Sequence, residues 1–490
     1  MTPKLVESTE MEKDSDGDGA IAGAKIWYMD GTSQPVHIAG NFNADTRRAQ
    51  SVETNNELWM KAIALSDGEN TRVVMTTDFI RVPVEWNVKA EQAFLEKYPK
   101  YGLQDGFLSM SGTHTHSSVD IGDAYERNGT VINGQNAKWH TSNLDGKNKD
   151  KETTYYTNYW LPGVMDAVKA ALDNLTPATI QTASVAVTDT ADKYNVNRVR
   201  HWFASDGTVA GTNFGNSGIT PMGHIRAADP EMQLIRFIRE NEDPNKARDI
   251  VLVNWQMHPT GAMSSSTMRM LSADYCGILC NYLNENVEDC VAAYFQGAAG
   301  NINAITTQAG ETAPNITITA TEKLSGYKKY GTYLGVKAAE ALQNMNAVPA
   351  GKVQSLRNET VVVERGYEEY RAVQQDVIAV GSSVAFVTAG YEMFDSNAMD
   401  IKKATKSSFF DVRDETTYTN ENGYAAVFVI ENSQGHEYMP NWQANHYTLL
   451  GGPEAYEVKE SQFNEVPGTA EDLADSLIYM LKTLNPNRPK

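Results

Sequence analysis

Residues 107–120 read FLSMSGTHTHSSVD, and this stretch suggests both a strand and a functional site. A short apolar run ends at Gly112 and leads into His114 and His116. Side chains two positions apart in a strand project from the same face of a sheet, so both imidazoles point the same way if the strand continues. Paired imidazoles suit one metal ion, or one metal ligand beside a proton-transfer group. Such a pair is also common on polar surfaces, so the stretch alone leaves both interpretations open.

Strand-like and helix-like segments alternate along the rest of the chain. Alternating or continuous apolar runs predict strands at 71–83, 249–259 and 382–394. Apolar residues at helical spacing predict helices at 272–287 and 469–485. This alternation predicts an α/β fold, with a mixed β-sheet core covered by helices.

The composition excludes several classes of partner. The chain has 490 residues, of which 41% are hydrophobic and 21% charged, as in ordinary globular proteins. Its net charge of −20 argues against nucleic acid and against a basic patch that binds an anionic membrane. No run reaches the roughly 18 apolar residues of a transmembrane segment. The composition leaves the substrate class open, and the sequence does not predict the oligomeric state.

The chain shows no repeats and no Pro/Ser-rich linker. Residues 1–20 are acidic and are predicted to form a disordered leader, and they lack the apolar segment of a signal peptide. A single large domain is expected over residues 21–490. Cys276 and Cys280 are spaced i, i+4 with no CxxC motif, which predicts buried cysteines on one helix face.

Polar residues follow several predicted strands. His258 comes at the end of VLVNWQMHP, and Glu392 follows VAFVTAGY. Open α/β sheets build their sites at such strand ends, and two histidines, a carboxylate and one further oxygen ligand make an open Zn²⁺ site. Asp78 is either a hydrogen-bond partner of a ligand histidine or a capping residue. Asp274 is interpreted as a structural carboxylate in the first turn of a helix.

Six short motifs then occur in a fixed order: LSMSGTHTHSS at 108–118, NVNR at 195–198, NWQMHPTG at 254–261, LSADYCG at 271–277, QGAAGNIN at 296–303 and TAGYEMF at 388–394. Together they resemble the neutral/alkaline (non-lysosomal) ceramidase family, in particular the catalytic domain of its shorter bacterial relatives. The resemblance extends over about residues 20–485. It implies a zinc-dependent hydrolase of an amide bond, such as that joining sphingosine to a fatty acid in N-acylsphingosine.

The resemblance implies four zinc ligands. His114, the first histidine of His-Thr-His, and His258 are the imidazole ligands, and Glu392 is the carboxylate ligand. The fourth is a tyrosine, for which Tyr438 is preferred to Tyr424 because Met-Pro follows it.

The resemblance also implies four residues around the reaction centre. His116 matches a proton-transfer histidine, Arg198 an arginine that binds near the metal, and Tyr456 a tyrosine that contacts substrate. Asn303 stands where the family carries a serine proposed to take part in catalysis. An asparagine amide donates a hydrogen bond but is not a nucleophile, so hydrolysis is expected to use a metal-activated water.

The resemblance predicts that the immunoglobulin-like C-terminal domain of the longer ceramidases is absent. Two alternatives to a ceramidase-like enzyme stay open, one favoured by the expected lack of this domain and the other by Asn303 in the serine position. One is a zinc amidase or esterase for a soluble, non-lipid substrate. The other is a catalytically retired binding protein on the same scaffold. The resemblance favours a secreted or cell-surface location.

Overall fold

The computed structural model describes most of the chain in segments, namely residues 2–11, 25–31, 36, 38–39, 49–119, 125–132, 135–141, 155–188, 196–199, 201–203, 209–212, 228–240, 249–263, 269–304, 326–363, 370–403, 423–431, 438–442 and 468–485. Its strands, in chain order, are β1 Leu5–Met11, β2 Lys25–Met29, β3 Ser51–Val52, β4 Met60–Ser66, β5 Thr71–Thr77, β6 Leu108–Gly112, β7 Tyr125–Ile132, β8 Gln135–Thr141, β9 Ala178–Ala186, β10 Asn197–Val199, β11 His201–Phe203, β12 Val209–Thr212, β13 Glu231–Arg239, β14 Asp249–Trp255, β15 Met270–Leu271, β16 Cys290–Gln296, β17 Ile302–Ala304, β18 Asn346–Val348, β19 Val353–Val363, β20 Tyr370–Val380, β21 Val384–Ala389, β22 Glu392–Met393, β23 Ala426–Ile430 and β24 Tyr438–Met439. Its α-helices are α1 Val84–Lys97, α2 Leu161–Asp173, α3 Asp274–Asn286, α4 Gly326–Leu342, α5 Asp395–Lys403 and α6 Thr469–Leu484.

Three sheets form the centre of the molecule. The first has the order β16-β14-β13-β9-β18, and its β14–β16 pair is parallel. The second has the order β23-β21-β20-β8-β7, with β19 paired to β20, and its β21–β23 pair is parallel. The third is β4-β5-β6, in which β5 and β6 run parallel. Mixed sheets covered by helices confirm the predicted α/β class.

One apolar cluster lies between these sheets. It joins Leu252 and Phe295 of the first sheet, Phe386 and Phe428 of the second, and Val74 of the third. The three phenylalanine rings contact one another with centroid distances of 5.7 to 6.3 Å. Burial of a large apolar side chain contributes about 1.5–3 kcal/mol, so this cluster is a major source of stability. The sequence pattern predicts covered sheets but does not indicate that the sheets stack on each other.

Helices cover the outer faces of the sheets. Helices α3 and α4 pack on the first sheet through Leu279 and Leu334. Helices α5 and α6 pack on the second, where Leu477 is buried. Trp86 of α1 and Val164 of α2 pack against the third. No helix in the described part of the chain combines the length and the apolar composition that crossing a membrane requires.

Two predictions made at the level of local structure have opposite outcomes. Cys276 and Cys280 are buried in α3, as predicted from their spacing. Within the leader, Leu5–Met11 is a strand that pairs antiparallel with Lys25–Met29. The predicted disorder of residues 1–20 is therefore wrong for this strand, because its backbone groups find partners in a segment further along the chain. Residues 12–20 lie outside the described residues.

Candidate metal centre

The segment that carries His114 is positioned by Gly112. Strand β6 ends at Gly112, so it does not continue through the two histidines. A Cβ atom at Gly112 would lie 2.6 Å from the carbonyl oxygen of Phe79, and only glycine permits this approach. The close approach lets the His114 N–H donate to the same Phe79 oxygen at 2.8 Å. His114 itself has φ +65°, a left-handed conformation that is uncommon outside glycine.

His114 and His258 face each other through their Nε2 atoms, which are 3.0 Å apart. The Nδ1 of His114 donates to the carbonyl oxygen of Ile80, and the Nδ1 of His258 donates to that of Ala299, both at 2.7 Å. Since a carbonyl only accepts, each Nδ1 carries a proton and each neutral ring presents its Nε2 lone pair to the other. Two lone pairs at this distance repel unless a cation or a proton lies between them.

The Glu392 carboxylate completes a compact set of three donor atoms. Its Oε2 lies 3.5 Å from His114 Nε2 and 3.6 Å from His258 Nε2. All three side chains are buried. Tetrahedral zinc ligands at about 2.0–2.1 Å from the ion are about 3.3 Å from one another. The three separations, 3.0, 3.5 and 3.6 Å, are close to this value, so the donor set fits one zinc-sized ion.

His116 lies beside the same pair of histidines. The possible ligand atoms of His114, His116 and His258 all lie within 4.8 Å of one another, and the three rings are buried. The His116 N–H donates to the carbonyl oxygen of Pro259 at 3.2 Å, which ties the two histidine segments together. A buried group of three histidines could bind a metal ion. The chain therefore offers two overlapping donor sets, one with Glu392 and one with His116 as the third member.

Of the two tyrosines considered from the sequence, Tyr438 lies near the histidines. It pairs with Glu392 across the short parallel β22–β24 ladder, and its ring stacks at 6.4 Å from that of His258. Tyr424 instead donates to the carbonyl oxygen of Leu481 at 3.2 Å, in the core beneath α6.

The turn after β16 contacts β22, the strand that carries Glu392. The Gly300 N–H donates to the carbonyl oxygen of Met393 at 2.9 Å. A Cβ atom at Gly300 would lie 2.9 Å from the carbonyl oxygens of Glu392 and Met393, so glycine permits this contact. The turn then leads into β17, where the Ile302 carbonyl oxygen accepts the N–H of His258 at 3.1 Å.

Asn303 and Arg198 are brought together by backbone pairing. They are direct partners in the antiparallel β10–β17 ladder, and Asn303 is buried. This ladder is adjacent to the His258 segment, which hydrogen-bonds to the neighbouring Ile302. The side chain of Arg198 and the whole of Tyr456 lie outside the described residues.

A buried polar network behind Asn301 is absent from the sequence predictions. The Asp395 carboxylate accepts the Asn301 amide at 2.9 Å and the Asp229 N–H at 3.1 Å. The Asp229 carboxylate in turn binds the Lys402 ammonium at 2.9 Å, and both groups are buried. Paired buried charges of this kind hold the turn that precedes Asn303 in one geometry. The sequence carries no local signal for this network, because its members lie far apart along the chain.

The two aspartates considered from the sequence have structural partners. Asp78 accepts the Trp59 N–H at 2.7 Å and the Thr113 hydroxyl at 3.1 Å, so the alternative in which it binds a ligand histidine is not what the structure shows. Burial raises the pKa of Asp78 to about 6. Asp274 accepts backbone N–H groups of Ala262 and Tyr275, both at 2.6 Å, in the first turn of α3, which confirms its structural interpretation. His114 and His258 are instead oriented by the backbone carbonyls of Ile80 and Ala299, which no sequence motif reveals.

Comparisons with known proteins bear on the fold. No protein-family model and no curated protein matches the chain. A neutral ceramidase from Pseudomonas aeruginosa has a similar structure, with a TM-score of 0.63 and 14% sequence identity over 94% of this chain and 73% of that one. A ceramidase complexed with C2 is similar at a TM-score of 0.58 and 14% identity, over 93% of this chain and 76% of that one. The chain therefore has a ceramidase-like fold.

Proposed function

We propose that this protein is a zinc-dependent hydrolase that cleaves an amide bond in an N-acylated lipid of the N-acylsphingosine type. The observation that carries the proposal is the trio of donor atoms on His114, His258 and Glu392, at separations of 3.0, 3.5 and 3.6 Å. The similarity of fold to solved ceramidases supports the reaction class. Under this proposal Tyr438 is the fourth ligand, since it pairs with Glu392 and stacks beside His258.

Zinc held by these residues would supply a Lewis acid for the scissile carbonyl and would lower the pKa of a water molecule towards about 7. The protein supplies the orientation. Hydrogen bonds from Nδ1 to the carbonyl oxygens of Ile80 and Ala299 fix which nitrogen of each histidine is turned inward. Burial of the three donors excludes bulk water and strengthens electrostatic interactions at the centre.

His116 is proposed as the group that accepts a proton from the attacking water and returns it to the leaving amine. Its ring is buried, with its centroid 4.9 Å from that of His114 and 5.6 Å from that of His258. This position allows proton exchange next to the centre without requiring His116 to bind the ion. A positioned imidazole contributes typically 10²–10⁴-fold to such a step.

Asn303, Arg198 and Tyr456 are proposed as substrate-binding residues. Asn303 would donate its amide N–H to the developing oxyanion or to a hydroxyl of the substrate, because an amide cannot act as the nucleophile. Arg198, its partner in the β-ladder, would supply a positive charge to the same region. Tyr456 would contact the substrate further from the metal.

The proposal is tested by measuring fatty-acid release from N-acylsphingosine by the purified protein. The assay is run with added zinc, with a chelator, and with zinc restored after chelation. We expect release that stops with the chelator and returns with the metal. A matched panel of soluble N-acyl amino acids and short esters is run in parallel. If only the soluble compounds are cleaved, the substrate is a soluble amide or ester and not a lipid. If zinc-loaded protein cleaves neither N-acylsphingosine nor the soluble compounds, the proposal that it is a hydrolase is wrong.

Asn303→Ala is expected to lower turnover about 10²–10³-fold and to leave zinc content unchanged, as loss of one oxyanion donor does. Turnover and zinc stoichiometry are measured on the same preparation. Asn301→Ala is the comparison, because Asn301 lies in the same turn but its side chain hydrogen-bonds to Asp395 and is not proposed to contact the substrate. An Asn303→Ala enzyme with the wild-type rate would remove Asn303 from the proposed site.

A catalytically retired binding protein is the second candidate function. Asn303 in the serine position of the resembled family is the observation that favours it. The restored-zinc experiment separates the two, because a retired protein would bind zinc and N-acylsphingosine without releasing fatty acid.

A further inference from the structure

Two other segments hold the strand that carries Glu392. Strand β22 consists of Glu392 and Met393 and forms a two-stranded sheet with β24. Both backbone groups of Met393 have partners outside this sheet. Its N–H donates to a carboxylate oxygen of Glu431 at 2.9 Å, and its carbonyl oxygen accepts the Gly300 N–H, also at 2.9 Å. A side chain and a turn therefore take the place of a third strand beside β22.

Glu431 is a fully buried carboxylate at the end of β23. The strand ends at Ile430, and Glu431 follows it with 0% of its surface exposed. Burial of a carboxylate costs free energy unless hydrogen bonds compensate for the loss of water. A hydrogen bond to a charged acceptor is stronger than one between neutral groups. An apolar residue would end β23 without this cost, so the placement of a carboxylate here points to its hydrogen bonds as its role.

The same residue is also linked to the segment that carries His258. The Glu431 N–H donates to the carbonyl oxygen of Gln296, the last residue of β16, at 3.3 Å. The Gln296 side-chain amide donates to the carbonyl oxygen of Met257, the residue before His258, at 3.2 Å. Together with the bond to Met393, these contacts form a series of three hydrogen bonds. The series connects the residue before His258 to the residue after Glu392.

This series joins two donors that come from different sheets. His258 lies after β14 of the first sheet, and Glu392 lies after β21 of the second. The Nε2 of His258 and the Oε2 of Glu392 are nevertheless only 3.6 Å apart. A metal site keeps its affinity only while its donors stay near the separations that the ion requires, and hydrogen bonds behind the ligands maintain those separations. A link between the two segments is therefore expected to act on zinc affinity.

We propose that Glu431 is a positioning residue, which holds the Glu392 carboxylate at the correct distance from His258 to bind the ion. It acts through the backbone of Met393 and is not proposed to bind the ion or the substrate. The inference rests on the zinc centre of the proposed function, but it does not require that the protein hydrolyse an amide.

Three variants of Glu431 separate the effect of its hydrogen bond from those of its volume and charge. Glu431→Asp keeps the charge but is one methylene shorter, which withdraws the carboxylate from the Met393 N–H. Glu431→Met keeps the approximate length and volume but has no oxygen acceptor. Glu431→Gln keeps the length and one oxygen acceptor. We expect Glu431→Asp and Glu431→Met to bind zinc about 10–100-fold more weakly than the wild type, and Glu431→Gln to stay closer to the wild type than either.

Zinc alone is the probe, and competition with a chromophoric chelator measures its dissociation constant for the full-length protein. Glu91→Met is the matched control, because Glu91 is also a buried carboxylate that accepts a backbone N–H, that of Gly106. This control is expected to bind zinc as the wild type does. Wild-type zinc affinity in both Glu431→Asp and Glu431→Met would overturn the proposal. Should Glu431→Met fail to fold by circular dichroism, the more conservative Glu431→Asp still gives the test.

Hydrogen–deuterium exchange in the zinc-free protein separates this inference from the proposed function. The amides of residues 391–394 should exchange at least about tenfold faster in Glu431→Asp than in the wild type, because a charge-assisted hydrogen bond is lost there. Exchange in β13, Glu231–Arg239, should not change, which would exclude global unfolding. A wild type that binds no zinc would contradict the proposed function. A wild type that binds zinc, with unchanged exchange at 391–394 in Glu431→Asp, would contradict only the role of Glu431.

Discussion

Glu392→Ala is expected to lose bound zinc and hydrolytic activity together. The carboxylate is buried and lies 3.5 and 3.6 Å from the Nε2 atoms of His114 and His258, so its removal deletes one donor of a compact set. Loss of a hydrogen-bond partner behind a metal ligand weakens metal affinity about 10–100-fold, and loss of the ligand itself is expected to exceed this range. Zinc stoichiometry after dialysis and the hydrolysis rate are measured together.

Two control variants sharpen the Glu392 experiment. Glu392→Gln keeps an oxygen donor without the negative charge and is expected to fall between the wild type and Glu392→Ala in zinc affinity. Glu91→Gln changes another buried carboxylate, one that accepts the N–H of Gly106 beside α1, and is expected to leave zinc content unaltered. Full zinc occupancy and full rate in Glu392→Ala would show that the ligand assignment is wrong.

His116→Gln is expected to lower turnover about 10²–10⁴-fold while zinc remains bound. Zinc is expected to remain because His114, His258 and Glu392 already supply three donor atoms at separations that suit a tetrahedral ion. Metal content is measured by inductively coupled plasma mass spectrometry, and turnover is measured across pH. If His116 is the base, the variant should lose the rise of turnover with pH that reflects deprotonation of that base. A purely structural role would lower turnover equally at every pH.

The same variant decides between the two overlapping donor sets. If His116→Gln loses zinc and Glu392→Ala keeps it, the three histidines form the metal site and Glu392 becomes the proton-transfer group. Ser117→Ala, at the next buried position, controls for disturbance of the segment and is expected to retain both zinc and activity.

The sequence predicts where the central strands lie better than where they end. The predicted strands at 71–83, 249–259 and 382–394 are observed as Thr71–Thr77, Asp249–Trp255 and Val384–Ala389, because an apolar pattern does not show where the partner strand stops. The predicted α/β class follows from the same periodicity. Polar side chains after β14 and β21 do converge, because the first and second sheets stack and their strand ends meet. The N–H of Glu431, after β23, donates to the carbonyl oxygen of Gln296, at the end of β16, at 3.3 Å.

Features that depend on tertiary partners do not appear in the sequence. Strand β20 contains Gln374, Gln375 and Asp376 at buried positions, which weakens any apolar pattern. The structure satisfies them at long range, for example by the hydrogen bond from Gln375 to the carbonyl oxygen of Leu473 at 2.9 Å and by the ion pair between Arg357 and Asp376. The left-handed backbone of His114 likewise depends on a contact with a distant segment.

That backbone has a consequence for protein engineering. Transplanting the proposed metal centre into another scaffold by copying only its four proposed ligand side chains would leave out the backbone that orients His114. The left-handed His114 and the side-chain-free Gly112 lie in one segment, and the carbonyl oxygen of Ile80, which accepts the His114 Nδ1–H, lies in the segment after the neighbouring strand β5. A transplanted site would therefore need the segment of Gly112 and His114 together with the segment that contains Ile80. Without both segments, the His114 imidazole would not be oriented to bind an ion.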